Sequence, residues 1–259
     1  IEHLRSGDPV ADKQDVEHVR ALIAEKVTFE DFDDHTKIAS FGNDPWPFPF
    51  PLVSEDERWR FDLEGGIEEL HSRRIGGNEL FTLATLHAYV DAQREYFRRK
   101  PMGEPPVFAQ KFMSDEGSRN GLYWPTAEGE EPSPLGDLVA EASLGGYNLQ
   151  GDGDGSSSSE PAEDAGPQPY HGYHFRILTG QGEHVPGSGA RSYLDAEGRM
   201  RTGFAAVAWP ANYGNSGIMT FQVNHWGMVF QKDLGEGTPT AVEAITVFDP
   251  DETWEPTGD

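Results

Sequence analysis

Three side chains in the C-terminal half have the types that a hydrolytic or metal site would use: His171, His174 and Asp195. His-x-x-His is a metal-ligand spacing on a helix. In a strand, residues three apart point to opposite faces, which is poor ligand geometry. Ser188, Ser192 and Ser216 are the candidate nucleophiles, and none sits in a G-x-S-x-G setting; Asn215-Ser216-Gly217 reads as a turn. Gly180 to Gly189 is glycine-rich but lacks the following helix and the Lys-Ser/Thr pair of a phosphate loop. His87 and Asp91 stand at i and i+4 on a helix, two ligands without an indicated third. Asp152 and Asp154 alternate as in a calcium loop, and Ser156 to Ser159 break the further oxygen offsets. With 45 acidic residues, glycosidase-like carboxylate pairs arise by chance and carry no signal without geometry. The reading assigns no catalytic, cofactor-binding or metal-ligating residue, and calcium at the acidic 148–169 segment is its one cofactor option. A different chemistry is offered by Trp46-Pro47-Phe48-Pro49-Phe50-Pro51, an aromatic wall that could stack sugar rings or pack as core.

Composition narrows the partners. The 259 residues carry a net charge of -25, from 45 acidic and 20 basic side chains, a field that repels nucleic acid and anionic membranes. There is no cysteine, so neither a disulfide framework nor a thiol nucleophile exists. No apolar run reaches the roughly 18 residues that a membrane span needs. The opening at Ile1 fits a mature product whose leader has been removed.

The elements that must position any site follow from periodicity. Residues 1–65 read as a small α+β N-terminal domain. Within it, Asp12 to Lys26 is predicted helical because Val16, Val19, Ile23 and Val27 recur at helical spacing, with Asp8-Pro9 or Asp12 as the start. The proline-studded run is an edge strand or a wall, and Pro51-Leu52-Val53 pairs with Trp59-Arg60-Phe61 in a hairpin. Residues 66–259 read as the second domain. Its long helix within 66–99 has the stripe Leu83, Leu86, Val90 and Phe97, is punctuated by Gly65-Gly66 and Gly76-Gly77, and stops at Pro101. Val107 to Met113 and Leu135 to Leu144 are predicted short helices. Residues 148–169 are a low-complexity insert whose composition offers no apolar face. Tyr170 to Thr179 starts the main sheet, Asp195-Ala196-Glu197-Gly198 turns a hairpin, and Phe204–Gln231 is a three-strand meander in which Met219, Phe221 and Val223 share one face. Thr238 to Val247 is predicted as a closing helix capped by Thr238, with Phe248 and Trp254 anchoring the tail. The fold class is α+β: a long helix packed on a four-stranded antiparallel sheet, preceded by the small domain.

The runs YHGYHFRILTGQG, GRMRTGFAAVAWPANYGNSGIMTFQVNHWGMVFQKDLG and FDPDETW resemble the bacterial domain-of-unknown-function family 2950. So do SGDPVADK, DPWPFPFPLV with ERWRFD, RRIGGNEL with YVDAQREY, and GLYWPTAEGEEPSPLG. The resemblance covers nearly the whole chain and implies export, since members usually carry secretory leaders. It implies no activity and no functional residue. The long helix, the Gly-Tyr-x-Phe strand and the strand ending x-Asn-x-x-Gly are also similar in order to the globular part of type IV pilins and type II secretion pseudopilins, without the apolar helix half that builds a pilin filament. The functional expectation is an exported, non-enzymatic structural or assembly protein that associates with itself or with another envelope protein. The alternative is a periplasmic or extracellular binding module for glycans or divalent cations.

Overall fold

A computed structural model describes residues 5, 8–55, 58–99, 105–127, 129–144, 169–185 and 189–258. The 148–169 insert, with Asp152 and Asp154, lies outside the described residues apart from its last position, and Ser188 does too. The chain is α+β, with two five-stranded antiparallel sheets and a small two-stranded ribbon among the described residues.

Helix α1 (Pro9–Glu25) starts where Asp8 caps it: Oδ1 accepts from the amides of Val10 and Ala11, and Pro9 fills the first turn. The expected apolar stripe is not a core face. No residue of α1 is buried, and Val16 and Ile23 are exposed. The helix is instead held at its ends. Leu22 accepts from the Gly42 amide, and Asp8 Oδ2 accepts from Gly172 at 3.1 Å. The first sheet follows: β1 (Val27–Asp31), β2 (Thr36–Phe41), β3 (Trp46–Pro47), β4 (Leu52–Glu55) and β5 (Arg58–Phe61), ordered β1-β2-β4-β5 with β3 paired to β2. The expected hairpin holds, with Leu52 opposite Phe61 and Val53 opposite Arg60.

Helix α2 (Leu63–Arg98) has 36 residues and so runs about 54 Å. It begins before Gly65-Gly66 and continues through both glycine pairs that were expected to punctuate it. Gly66 is needed there for closeness: a Cβ would sit 2.1 Å from the Phe50 ring. Beyond Gly76-Gly77, α2 is clamped to the turn before β10 (Met219–Asn224). Asn78 Nδ2 donates to the Ser216 carbonyl, and Glu79 Oε1 accepts from the Ile218 and Met219 amides at 3.0 Å. Leu86, Tyr89 and Val90 then pack in one core with Phe204, Phe221 and Val223.

The second sheet is ordered β12-β11-β10-β9-β6, from β6 (Tyr173–Leu178), β9 (Ala205–Pro210), β10, β11 (Val229–Asp233) and β12 (Glu255–Pro256). The four expected strands gain a fifth because the tail returns: Phe230 pairs with Pro256 and Gln231 with Glu255, while Trp254 and Phe248 are buried as expected. Between β6 and β9, β7 (Gly180–Gln181) pairs with β8 (Arg191–Ser192), and the Asp195–Gly198 turn closes through a Leu194–Met200 bridge. The chain also forms α3 (Gly136–Leu144) and α4 (Thr238–Glu243). Helix α4 is shorter than predicted because Phe248 is drawn into backbone pairing with Gly180. Thr238 does not cap it either: its hydroxyl donates back to the Gly235 carbonyl.

Val107 to Met113 is not helical, because α2 claims its backbone. The fully buried Gln93 amide pairs with Ala109 as a strand rung would: Nε2 donates to the Ala109 carbonyl at 2.8 Å and Oε1 accepts from its amide at 2.9 Å. The same Nε2 reaches the Tyr89 hydroxyl, which donates to the Ala205 carbonyl at 3.0 Å. The hydroxyl's burial pushes the Tyr89 pKa up, so it stays a donor at all ordinary pH. Gln93→Leu leaves both Ala109 groups unpaired in the core and is expected to cost about 2–4 kcal/mol. Gln93→Glu should also destabilise, since it loses both donors; urea midpoints of the two variants at constant slope are the check.

Candidate functional site

The period of two along the first sheet sorts its side chains cleanly. Val27, Phe29 and Asp31 lie opposite Phe41, Ala39 and Lys37, and Lys37 lies opposite Leu52, itself opposite Phe61. One face therefore carries Val27, Phe29, Ala39, Phe41, Leu52, Trp59 and Phe61. The proline-studded run begins as β3 beside β2, the Phe48 amide donating to the Ala39 carbonyl, and its aromatic rings cover the centre of this face with Phe48 as the hub. Ring centroids lie 5.0 Å from Phe41, 5.2 Å from Phe50 and 5.8 Å from Phe61, the last edge-on. Gly66 admits Phe50 against α2, and Arg73 of α2 stacks 5.6 Å over Trp46.

The cover is incomplete. Phe29 is 59% exposed, Trp59 44% and Phe61 45%, and Val16, Ile23, Val27, Phe32 and Leu63 are exposed in the same N-terminal stretch. Elsewhere among the described residues the exposed large apolar side chains are Leu80, Trp226 and Met228. This concentration makes the N-terminal stretch the candidate surface of the molecule, whereas scattered single apolar residues are ordinary on a protein's exterior. Charge marks the two edges of the sheet. The β1 edge and its turn carry Glu30, Asp31, Asp33 and Asp34, and the β5 edge carries Arg58 and Arg60. Lys37 crosses the middle, 2.6 Å from Asp31 and 5.1 Å over the Trp59 ring.

The residues that chemistry first singled out go elsewhere. His171 and Gly172, with φ of 45° and 73°, form the two-residue turn ahead of β6, and Tyr170 and Tyr173 exchange backbone hydrogen bonds across it. The His171 ring stacks on Phe81 at 3.7 Å. His174 projects from the other side of β6 from Tyr173, its ring 5.6 Å from Trp209. Asp195 holds its own turn, accepting from the Glu197 and Arg199 amides and pairing with the Arg199 guanidinium at 2.8 Å. Ser216 also serves a turn, its Oγ accepting from the Asn212 amide. Ser192 closes a local turn onto Leu194, and Asp91 pairs with Arg94. Gly180 to Gly189 opens with β7 and leads into no helix among the described residues.

The β1–β2 hairpin is the part of the surface that sequence reasoning missed. Val27-Thr28-Phe29-Glu30-Asp31 and Thr36-Lys37-Ile38-Ala39-Ser40-Phe41 flank an Asp33-Asp34 turn, a strand signal that was overlooked when Val27 was counted on a helix.

The chain belongs to the DUF2950 family of proteins of unknown function, whose family model matches residues 1–257. No curated protein and no solved structure matches it.

The turn at His171 yields a test. Burial holds the His171 pKa below 6.5, against the pull of Asp8 and Glu141. The unfolded chain then takes up the proton first, so stability is full above about pH 6.5 and declines as pH falls through the lowered value. His171→Asn keeps a residue suited to positive φ and cannot titrate, so it should retain the turn and flatten part of the decline toward about pH 5. His171→Val places a β-branched residue at positive φ and should cost about 1–3 kcal/mol at every pH. Thermal melts across this range compare the three chains.

Proposed function

We propose that this is an exported, non-enzymatic structural or assembly protein that associates through the aromatic face of its N-terminal unit, residues 1–65. The observation that carries this reading is the half-covered first sheet, with Phe29, Trp59 and Phe61 left to solvent beside an α1 that buries nothing. Apolar area of this kind is costly to leave in water, and association removes it. The first partner in this reading is a second copy. The acidic β1 edge with its turn and the β5 edge with Arg58 and Arg60 lie at opposite sides of the sheet, so each edge can meet the other when two copies pack about a two-fold axis. The remainder of the chain, residues 66–259, serves as the body of the subunit. Support for a pilin-like body lies in the order of elements, α2 followed by the antiparallel strands β6, β9, β10 and β11. Export rests on the leaders usual among family members.

A second reading places a glycan on the same face, favoured by the open Trp59 ring beneath Lys37. Calorimetry against cell-wall glycans separates it from self-association.

Sedimentation of the purified chain over a concentration series is expected to show dimers or larger species, with the paired Phe29→Asp and Trp59→Asp changes returning the monomer at unchanged circular dichroism. Because the net charge of -25 opposes self-association, higher ionic strength should strengthen it. A wild-type chain that stays monomeric at the highest concentration removes this reading.

A further inference from the structure

We infer that the chain holds a binding site for a small uncharged apolar molecule inside its second half, away from the aromatic face. A cavity of about 230 Å³ lies between the middle of α2, the Phe112–Met113 segment, the start of α3 and the edge strand β6. Protein interiors are close-packed, and voids beyond the size of a water molecule are few. An engineered apolar cavity of about 150 Å³ stays dry and takes up benzene, so this one has room for a ring with a short alkyl chain.

The walls select the class of ligand. Leu86, Leu135, Leu138, Val139 and Phe175 present carbon. Three of the lining hydroxyls are committed to carbonyls elsewhere: Thr85 donates to Phe81 at 2.9 Å, Tyr89 to Ala205 at 3.0 Å and Tyr173 to Met219 at 3.0 Å. Burial raises the Tyr89 and Tyr173 pKa values, so neither phenol becomes an anion that could hold a cation. The rings of Tyr170 and His174 also line the space, Tyr170 edge-on to Phe81 at 5.7 Å and His174 tilted against Trp209 at 5.6 Å. Among the described residues no Lys or Arg lines the space, so a carboxylate entering it would lose its hydration without a permanent counter-charge. An uncharged apolar molecule loses nothing of the kind and restores dispersion contacts that an empty cavity forgoes.

The probes are butylbenzene and, as its charged counterpart, benzoate. Calorimetric titration of the full chain should show one butylbenzene bound per chain with a raised melting temperature, and no response to benzoate. Leu138→Trp fills the space and should weaken butylbenzene binding by at least about tenfold while the fold persists; Leu138→Phe is the milder filler if the larger ring prevents folding. The paired Phe29→Asp and Trp59→Asp chain should bind butylbenzene as the wild type does, which separates this site from the aromatic face. No binding by the wild type overturns the inference. So does binding that survives both fillers, that disappears with the Phe29 and Trp59 changes, or that is matched by benzoate.

Discussion

One buried side-chain amide sets the geometry of the larger half. Gln93 offers the 105–113 segment a donor and an acceptor at strand spacing, and Ala109 takes both. The segment is thereby extended, and Phe108 pairs onward with the Met200 carbonyl. Tyr89, one turn earlier on α2, carries the connection to β9 through the Ala205 carbonyl. A buried network of this kind is stable only when every member is satisfied, and here each one is. It holds α2, β9 and the irregular segment in register. With the Asn78–Glu79 clamp at the middle of the helix, it also fixes the tilt of the C-terminal half of α2 over the sheet. The cavity beside Leu138 is what these two attachments leave between them.

The two sheets treat water differently. The second is covered on both faces. Phe221 and Val223 meet α2, and the opposite stripe of Thr220, Gln222 and Asn224 is buried as well. The elements over that stripe supply some of its partners. Gln222 Oε1 accepts from the Asp249 amide, and Arg176 on the same face donates to the Val242 and Ile245 carbonyls at the end of α4. Among the described residues no second layer of this sort covers the first sheet. Its proline-studded run shields the middle of one face, and proline, lacking an amide, keeps that run at the margin of the pairing. Aromatic area therefore stays in contact with solvent on a chain whose net charge of -25 otherwise favours separation. The apolar face and the charge act in opposite directions on any close approach of two copies.

Much of the second sheet was legible because its strands keep a strict period of two between turns made by Gly, Asn and Pro. Asp195 to Gly198 and Asn212 to Gly217 sit where local chemistry demands a turn, and local chemistry is what a sequence displays; the strand expected from Tyr170 begins only at Tyr173, because His171 and Gly172 turn the chain at positive φ. The apolar stripe on α2 was equally plain, with Leu86 and Val90 inside. The stripe on α1 had the same spacing and faces solvent, because amphipathicity states what a helix is able to bury and not whether a surface exists to receive it. The candidate surface was half legible. The Trp46–Phe50 aromatics stood out, while Phe29 and its hairpin did not, since Val27 fitted a helical pattern equally well.

Taken alone, the sequence determined the fold class, the meander, the long helix, the anchoring tail residues Phe248 and Trp254, and the family. These rest on periodicities and turn residues that act within a few positions of one another. Tertiary structure alone decided that Val107–Met113 is extended, that Thr220, Gln222 and Asn224 are inside, that the first sheet keeps one face half open, and that a cavity lies beneath α2. Each of those depends on what a distant segment brings across: an amide from Gln93, a helix end over β6, or a cover that reaches only part of a face. Such partners are set by how the whole chain closes on itself, which no local pattern records.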